Sequence, residues 1–365
     1  MTHPAIERFG QMTFIREMKE AGKGGKLPCS VFGVSENARA QLIAGIYEGG
    51  CMFVVTHLDT QASLLVSQLS VLLPDVPVRR FVARDLAGTT ADAVSLELQA
   101  RRMEVLSLLA EESPCVIVAS CDAMQMRMIP KEMWQAQRIA LKTGDIMELG
   151  DLAQTLQKIG YERADMVEGA GQFAWRGGIL DVFCVGQENP YRIEFFDDEI
   201  DSLRVFDVLS QRTVEQITGC VITPVSEMHL EDSETETARE KALRSAGTAL
   251  KKAQDDQRAG LEAFRERLAH RRSDQILLAF SQKAQPVTDY LPPAAQIVLD
   301  EPSRITERMD ALGKSQAQTV TSMMEHGEGL KEMEKLFVTQ QELFAYLRTA
   351  RTWSMHAFEI GRAHV

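Results

Sequence analysis

At 365 residues the chain is too long for one ordinary domain, so roughly two or three domains with full cores are expected. Its 45% hydrophobic and 25% charged residues are the proportions of a globular protein. No signal-peptide pattern or membrane-length apolar run appears, so a cytoplasmic protein without membrane contact is expected. A formal net charge of -12 excludes a chain whose main task is coating phosphate backbones, while leaving room for a local basic patch.

Residues 1–137 alternate helix and strand. Ser35 is placed to cap a helix running through Tyr47. Cys51 to Thr56 is a continuous apolar run, the pattern of a strand buried on both faces. Gln61 to Leu73 reads as an amphipathic helix, with Leu64, Leu65, Gln68, Leu69 and Leu72 at helical spacing and Pro74 as its stop. Val78 to Val82 is a second strand, Ala91 to Ala110 a longer helix, and Cys115 to Ala119 another buried strand. Strand-helix-strand order of this kind implies parallel crossovers and an α/β sheet.

Such a sheet invites a search for a phosphate loop, which needs two spaced glycines, a lysine and a hydroxyl residue after a strand. Gly45 to Gly50 has the glycine spacing, but Cys51 and Met52 stand where the lysine and hydroxyl belong, and a strand follows rather than precedes it. Gly22 to Lys26 is rich in glycine and lysine but lacks the spacing. Neither stretch is a phosphate loop, so no nucleotide cofactor is expected on these residues. The six cysteines (Cys29, Cys51, Cys115, Cys121, Cys184 and Cys220) contain no C-x-x-C pair and read as buried free thiols, with no metal expected.

From Arg138 the pattern changes. Arg138 to Leu141 reads as a strand, Asp151 as the cap of a helix with Leu152, Leu156 and Ile159 on one face, and Gly160 as its C-terminal stop. Short antiparallel strands follow. Ile179 to Cys184, Tyr191 to Phe196 and Ile200 to Phe206 are separated by turn residues at Gly186 to Pro190 and at Asp197, Asp198 and Glu199. Because side chains alternate across a strand, Tyr191, Ile193 and Phe195 share one face and Arg192, Glu194 and Phe196 the other. The second set puts a large aromatic on a charged face beside an arginine, a combination enriched where partners dock. Residues 138–223 therefore read as a compact α+β module inserted in the chain.

Beyond Pro224 the composition turns helical. Arg265, Arg267, His270, Arg271 and Arg272 make a local basic cluster, but acids are interleaved with it and no aromatic platform accompanies it, so a solvated helix face is expected. Ile297 to Leu299 is a buried strand ending in Asp300 and Glu301. In a working ATPase such a pair would hold magnesium; without an upstream lysine it is expected to cap the helical segment after Pro302. Ser303 to Leu347 reads as helical, interrupted near Gly327. Glu359 to Val365 (EIGRAHV) matches the translation of a sequencing adapter and is expected to be non-native.

The run Arg176 to Phe183 (RGGILDVF), followed by Pro190 to Arg204 (PYRIEFFDDEIDSLR), closely resembles the module shared by two bacterial repair families. These are the nucleotide-excision-repair helicase UvrB and the transcription-repair coupling factors (Mfd). A weaker similarity spans roughly residues 30 to 345. The resemblance implies degenerate RecA-like lobes, of the P-loop NTPase kind, around an inserted UvrB-type module. It divides the chain as 1–137 (first lobe), 138–223 (interaction module), 224–350 (second, helix-rich lobe) and 351–365 (a truncated end). UvrB carries a working phosphate loop, so its absence points to the UvrB-homology region of a coupling factor, cut off before the polymerase-binding and translocase parts. The implied partner of the module is UvrA, and the implied contact residues are Arg176, Arg192 and Phe196; Asp300 and Glu301 are implied as a degenerate Walker B-like pair. The implied role is an adaptor that recruits UvrA to lesions at a stalled RNA polymerase. ATP, magnesium, RNA polymerase and double-stranded DNA would belong to the missing parts of an ATP-dependent translocase. A UvrB-like damage-verifying ATPase is the alternative, and docking of the 138–223 face on the rest of its own chain is compatible with the adaptor.

Overall fold

The structure, a computed structural model, describes residues 9–23, 27–84, 96–227, 232–269 and 274–357. In chain order its strands begin with β1 (Cys29–Val31), β2 (Cys51–Thr56), β3 (Val78–Phe81), β4 (Cys115–Ser120) and β5 (Ile139–Lys142). Next come β6 (Glu162–Arg163), β7 (Gln172–Arg176), β8 (Ile179–Val182), β9 (Tyr191–Phe196) and β10 (Glu199–Phe206). The series ends with β11 (Thr213–Ile217), β12 (Gly219–Ile222), β13 (Gln296–Asp300) and β14 (Arg351–Met355). Two compact units result. One draws on Met1–Leu86, Leu108–Met128 and Glu236–Val365, the other on Ala87–Ser107 and Ile129–Thr235.

The first unit is built on a six-stranded parallel sheet in the order β1-β14-β13-β2-β4-β3. Every residue of β2 and β4 is buried, which is why their sequences are unbroken apolar runs rather than alternating ones. Segments expected to form two separate lobes, 1–137 and 224–350, both supply strands to this one sheet: β13, with its buried apolar centre Ile297 to Leu299, pairs directly with β2. The helix expected at Gln61 to Leu73 runs over Asp59–Leu72 and buries Ala62, Leu65 and Leu69. Leu64, placed on the apolar face by spacing alone, is 53% exposed; the stripe facing the sheet is narrower than the leucine pattern suggests. Ser35 does not cap as expected. A 3-10 turn, Glu36–Ala38, intervenes before the helix Arg39–Ile46, and the Ser35 side chain makes no capping bond. The long helix is described from Leu96 to Ala110; residues 91–95 lie outside the described residues.

The second unit carries a six-stranded sheet in the order β11-β10-β9-β8-β7-β6, antiparallel except for β6 against β7. A separate ribbon pairs β12 with β5. Leu180, Ile193 and Leu203 lie side by side in register and are fully buried, and Leu152 and Leu156 of the helix Leu149–Lys158 are buried too. Asp151, expected at the cap, is instead in the first helical turn, where its charge still complements the helix dipole. Gly160 ends the helix at φ +101°, a conformation that favours glycine. Arg102 and Glu227 form an ion pair at 2.6 Å with both side chains 2% exposed. Removing one partner of so buried a pair costs about 3–5 kcal/mol, so this contact fastens the helix Leu96–Ala110 to the segment after β12.

Among the described residues no helix is long and apolar enough to cross a membrane, and no cluster of three or more side chains could hold a metal ion. His270, Arg271 and Arg272 of the basic cluster, and Glu359 to Val365, lie outside the described residues. Asp255–Ala269 is a helix containing Arg265 and Arg267.

Candidate functional site

The two faces of the antiparallel sheet differ in kind. Leu180, Ile193, Ile200 and Leu203 turn inward and are buried. Alternation then sends Ile179, Asp181, Arg192, Glu194 and Phe196 to the other face. The register lines them up. Arg176 is opposite Ile179, which is opposite Glu194 and then Ser202. Ala174 is opposite Asp181, then Arg192, then Arg204.

Two of the three expected contact residues are open to solvent. Phe196 is 78% exposed at the end of β9, where a two-residue turn, Asp197 and Asp198, reverses the chain into β10. The Arg176 side chain is 59% exposed at the end of β7. Between them runs the tight turn at Gly177 and Gly178. A Cβ on Gly178 would sit 2.9 Å from the backbone oxygen of Phe195, so glycine is required for β8 and β9 to approach this closely. Gly177 adopts φ +59° with nothing near its absent Cβ. No side chain of this turn covers the Phe196 ring.

Arg192 is placed differently. Its Nε donates to Asp181 Oδ1 at 2.6 Å and its Nη2 to Asp181 Oδ2 at 2.8 Å and to Gln211 Oε1 at 2.9 Å. The guanidinium also lies 4.2 Å from the ring centroid of Phe206, which belongs to a small buried cluster with Val167, Ala174 and Phe183. The hydrogen bonds to Asp181, outweighing burial, raise the Arg192 pKa above its ordinary value. Asp181 is 2% exposed, and Arg176 Nη2 stands 3.9 Å from it. One buried carboxylate thus anchors Arg192 directly and faces Arg176 at longer range. Glu194 is engaged by Arg204 and Ser202.

The acid pair of the parallel sheet has a partner the sequence reading missed. Asp300 ends β13 and is 2% exposed. Arg39, at the start of the helix Arg39–Ile46, reaches Asp300 at 3.0 Å and also pairs with Glu301. The expected capping role is corrected. Glu301 does occupy the position before the helix Pro302–Glu325, in a left-handed conformation at φ +61°, but its carboxylate makes no capping bond. It accepts from Arg39 and from the backbone N–H of Ala357 at 2.8 Å. Burial pushes the Asp300 carboxyl up to about 6; Arg39 pulls it down, while Glu301 and Glu36 add to the rise. Burial, then the charges of Arg304 and Arg39, lowers the pKa of neighbouring His57.

The sequence carries a signal for Arg39, in a stretch other than Gly45 to Gly50 and Gly22 to Lys26. The segment that follows β1 and opens a helix is Gly33-Val34-Ser35-Glu36-Asn37-Ala38-Arg39-Ala40. It has the strand-turn-helix setting of a phosphate loop, with Ala38 at the second glycine, Arg39 at the lysine and Ala40 at the hydroxyl position.

Comparison with known proteins bears on both sites. Residues 139–228 match the family described as the UvrB interaction domain. The chain is 31% identical over 352 residues to the transcription-repair-coupling factor of Bacillus subtilis (strain 168), covering 90% of this chain and 29% of that protein. It is 30% identical over 315 residues to the transcription-repair-coupling factor of Staphylococcus haemolyticus (strain JCSC1435), covering 82% of this chain and 26% of that protein. The corresponding protein of Staphylococcus aureus (strain MRSA252) is 27% identical over 316 residues. The chain therefore spans less than a third of the length of the curated relatives it matches.

Proposed function

We propose that this chain, a homologue of the transcription-repair-coupling factors that carries a UvrB interaction domain, is an adaptor whose outer sheet face binds UvrA. The observation that carries the reading is Phe196, a large aromatic 78% exposed on the sheet face that also carries the exposed Arg176, while Leu180, Ile193, Ile200 and Leu203 of the other face are buried. Exposed aromatics and arginines concentrate binding energy when a partner desolvates them. Arg176 is suited to a charge-assisted, bidentate bond with a partner carboxylate, because its side chain is 59% exposed and Asp181 stands as far as 3.9 Å from it. Arg192 commits its Nε and Nη2 to Asp181 and Gln211, so its role is to hold Asp181 and with it the electrostatic setting of Arg176.

In the whole protein we assign this adaptor to bringing UvrA to lesions where RNA polymerase has stalled. Contacts with polymerase and DNA, and translocation on ATP, are assigned to the remaining length of the longer relatives. The acid pair at the end of β13 does not fit a magnesium nucleotide. Arg39 already pairs with both carboxylates, and Ala40 offers no hydroxyl for a metal ion. The outer face of the second unit is accordingly the functional surface of these residues.

The test is binding of purified UvrA to the whole chain and to the Phe196→Ala and Arg176→Ala variants by calorimetry. Each variant is expected to lose about 2 kcal/mol or more of binding free energy while melting as the parent does. Parent-like affinity in both removes the assignment. Titration with ATP and magnesium separates the adaptor from a UvrB-like ATPase, and no binding heat is expected.

A further inference from the structure

The exposed face does not end at Phe196. The segment before the helix Leu149–Lys158 returns to the sheet beside the start of β10. Gly144 N–H donates to Ile200 O at 2.8 Å, Ile200 N–H to Asp145 O at 2.9 Å, and Met147 N–H to Asp198 O at 2.8 Å. These bonds extend the sheet by one short edge and set Ile146 opposite Glu199. The bonds flank the Ile146 and Glu199 pair rather than joining it, the arrangement in which opposed side chains stand closest. Glu199 is in turn opposite Phe196 on its other side. Directly opposed residues share a face, so Phe196, Glu199 and Ile146 make one outward row.

Ile146 is 74% exposed. An isoleucine held by backbone bonds on both sides and left in water has no role in the unit's core. Ile179, 38% exposed, stands diagonal to Phe196 through its pairing with Glu194. Ile179, Phe196 and Ile146 therefore line a band across the end of the sheet, with Glu199 between the last two. Arg176 lies beyond Ile179 at one end; the exposed carboxylates of Asp197, Asp198 and Glu199, which take part in no ion pair among the described residues, lie on the Phe196 and Ile146 side.

From this placement we infer that the partner's footprint runs the full length of the band, with Ile146 as a second anchor and the Asp197–Glu199 turn receiving a basic side chain of the partner. The inference rests on the adaptor reading and deepens it. The occupant is a protein surface with a carboxylate to meet Arg176, an apolar centre, and a lysine or arginine to meet the turn. A lone apolar patch would accept many partners. A band with arginine beyond Ile179 and three acids beside Phe196 and Ile146 accepts one orientation, so the turn supplies direction as well as attraction.

The experiment uses the whole chain and purified UvrA, with Phe196→Ala as the reference for the underlying reading. Ile146→Ala should weaken binding at least threefold, and Ile146→Glu more than tenfold, without moving the thermal midpoint, since the side chain is in solvent. Asp197→Asn with Asp198→Asn should slow association and flatten its dependence on salt. Weakened binding by Phe196→Ala together with parent affinity in both Ile146 variants overturns the extended footprint and leaves the adaptor standing. Parent affinity in Phe196→Ala as well means the adaptor reading itself has failed. An Ile146→Ala variant that binds weakly but also melts early is resolved by Ile146→Thr: restored melting with weak binding supports the anchor, and restored binding overturns it.

Discussion

The chain holds two arginine–carboxylate constellations of similar composition and opposite consequence. At the end of β13 the buried Asp300 meets an arginine whose side chain is 6% exposed, with a second acid alongside. On the outer sheet face the equally buried Asp181 meets Arg192, and a second arginine stands 3.9 Å off with most of its side chain in water. The first has two acids and one arginine, and it is closed. The second has one acid and two arginines, and here the surplus charge, on Arg176, points outward. Enclosure of the charged groups makes the first a structural lock, whereas the exposed surplus cation and uncovered aromatic of the second are what we propose a partner completes.

The sharpest way to break this contrast is to open the lock. Arg39→Ala would leave Asp300 and Glu301 buried without their cation, a change that costs about 3–5 kcal/mol when a buried partner is removed. Urea unfolding should show that loss, and Arg39→Ala combined with Asp300→Asn and Glu301→Gln should recover part of it. If Arg39→Ala unfolds at the parent's midpoint, the constellation is not a lock and the comparison fails.

A middle-sized effect is expected at the other carboxylate. Arg192→Ala removes the two bonds that satisfy Asp181, with a cost of about 2–3 kcal/mol. It should be smaller than the Arg39 loss because Arg176 is near enough to turn inward. That compensation would draw Arg176 off the surface, so Arg192→Ala should weaken UvrA binding as well as stability. Arg176→Ala should weaken binding alone. Equal effects of the two substitutions on stability would remove the distinction between a support and a contact.

The two sites were unequally legible in the sequence. Strand alternation alone divided Tyr191 to Phe196 into its two faces, because a half-buried strand writes its orientation into every second residue. Apolar runs likewise marked β2, β4 and β13, whose residues have no face to hide. What the alternation could not report is which exposed polar groups find each other. Arg192 and Asp181 are paired across neighbouring strands, and nothing local distinguishes Arg192 from Arg176. Arg39 and Asp300 are further apart still in sequence, joined only when β1 and β13 enter one sheet. Ile146 was hidden for a third reason. It sits on a short edge held by backbone bonds, and these leave no side-chain signature. The misplaced helix caps at Ser35 and Asp151 share that limit, since both depended on where the first helical turn begins.

The smallest expected effect concerns pH and tests whether burial or the ion pair governs Asp300. Its carboxyl is raised from the ordinary 3.8 to about 6 by burial, against the pull of Arg39. Between those values the folded chain holds a proton at Asp300 that the unfolded chain has released, so this group's contribution to stability is greatest at low pH and declines as pH rises to about 6. Asp300→Asn cannot titrate. Its stability relative to the parent should therefore improve by about 1–2 kcal/mol between pH 4.5 and pH 7, on top of a constant loss from the weaker bond to Arg39. Acids remote from Asp300 titrate alike in both proteins, so the difference between the two unfolding curves reports this carboxyl together with the Glu301 and Glu36 charges coupled to it. A difference that stays flat with pH would mean that Arg39 holds Asp300 ionised throughout. A difference of opposite slope would mean that the ion pair outweighs burial, and the lock would then derive its strength from charge rather than from being closed.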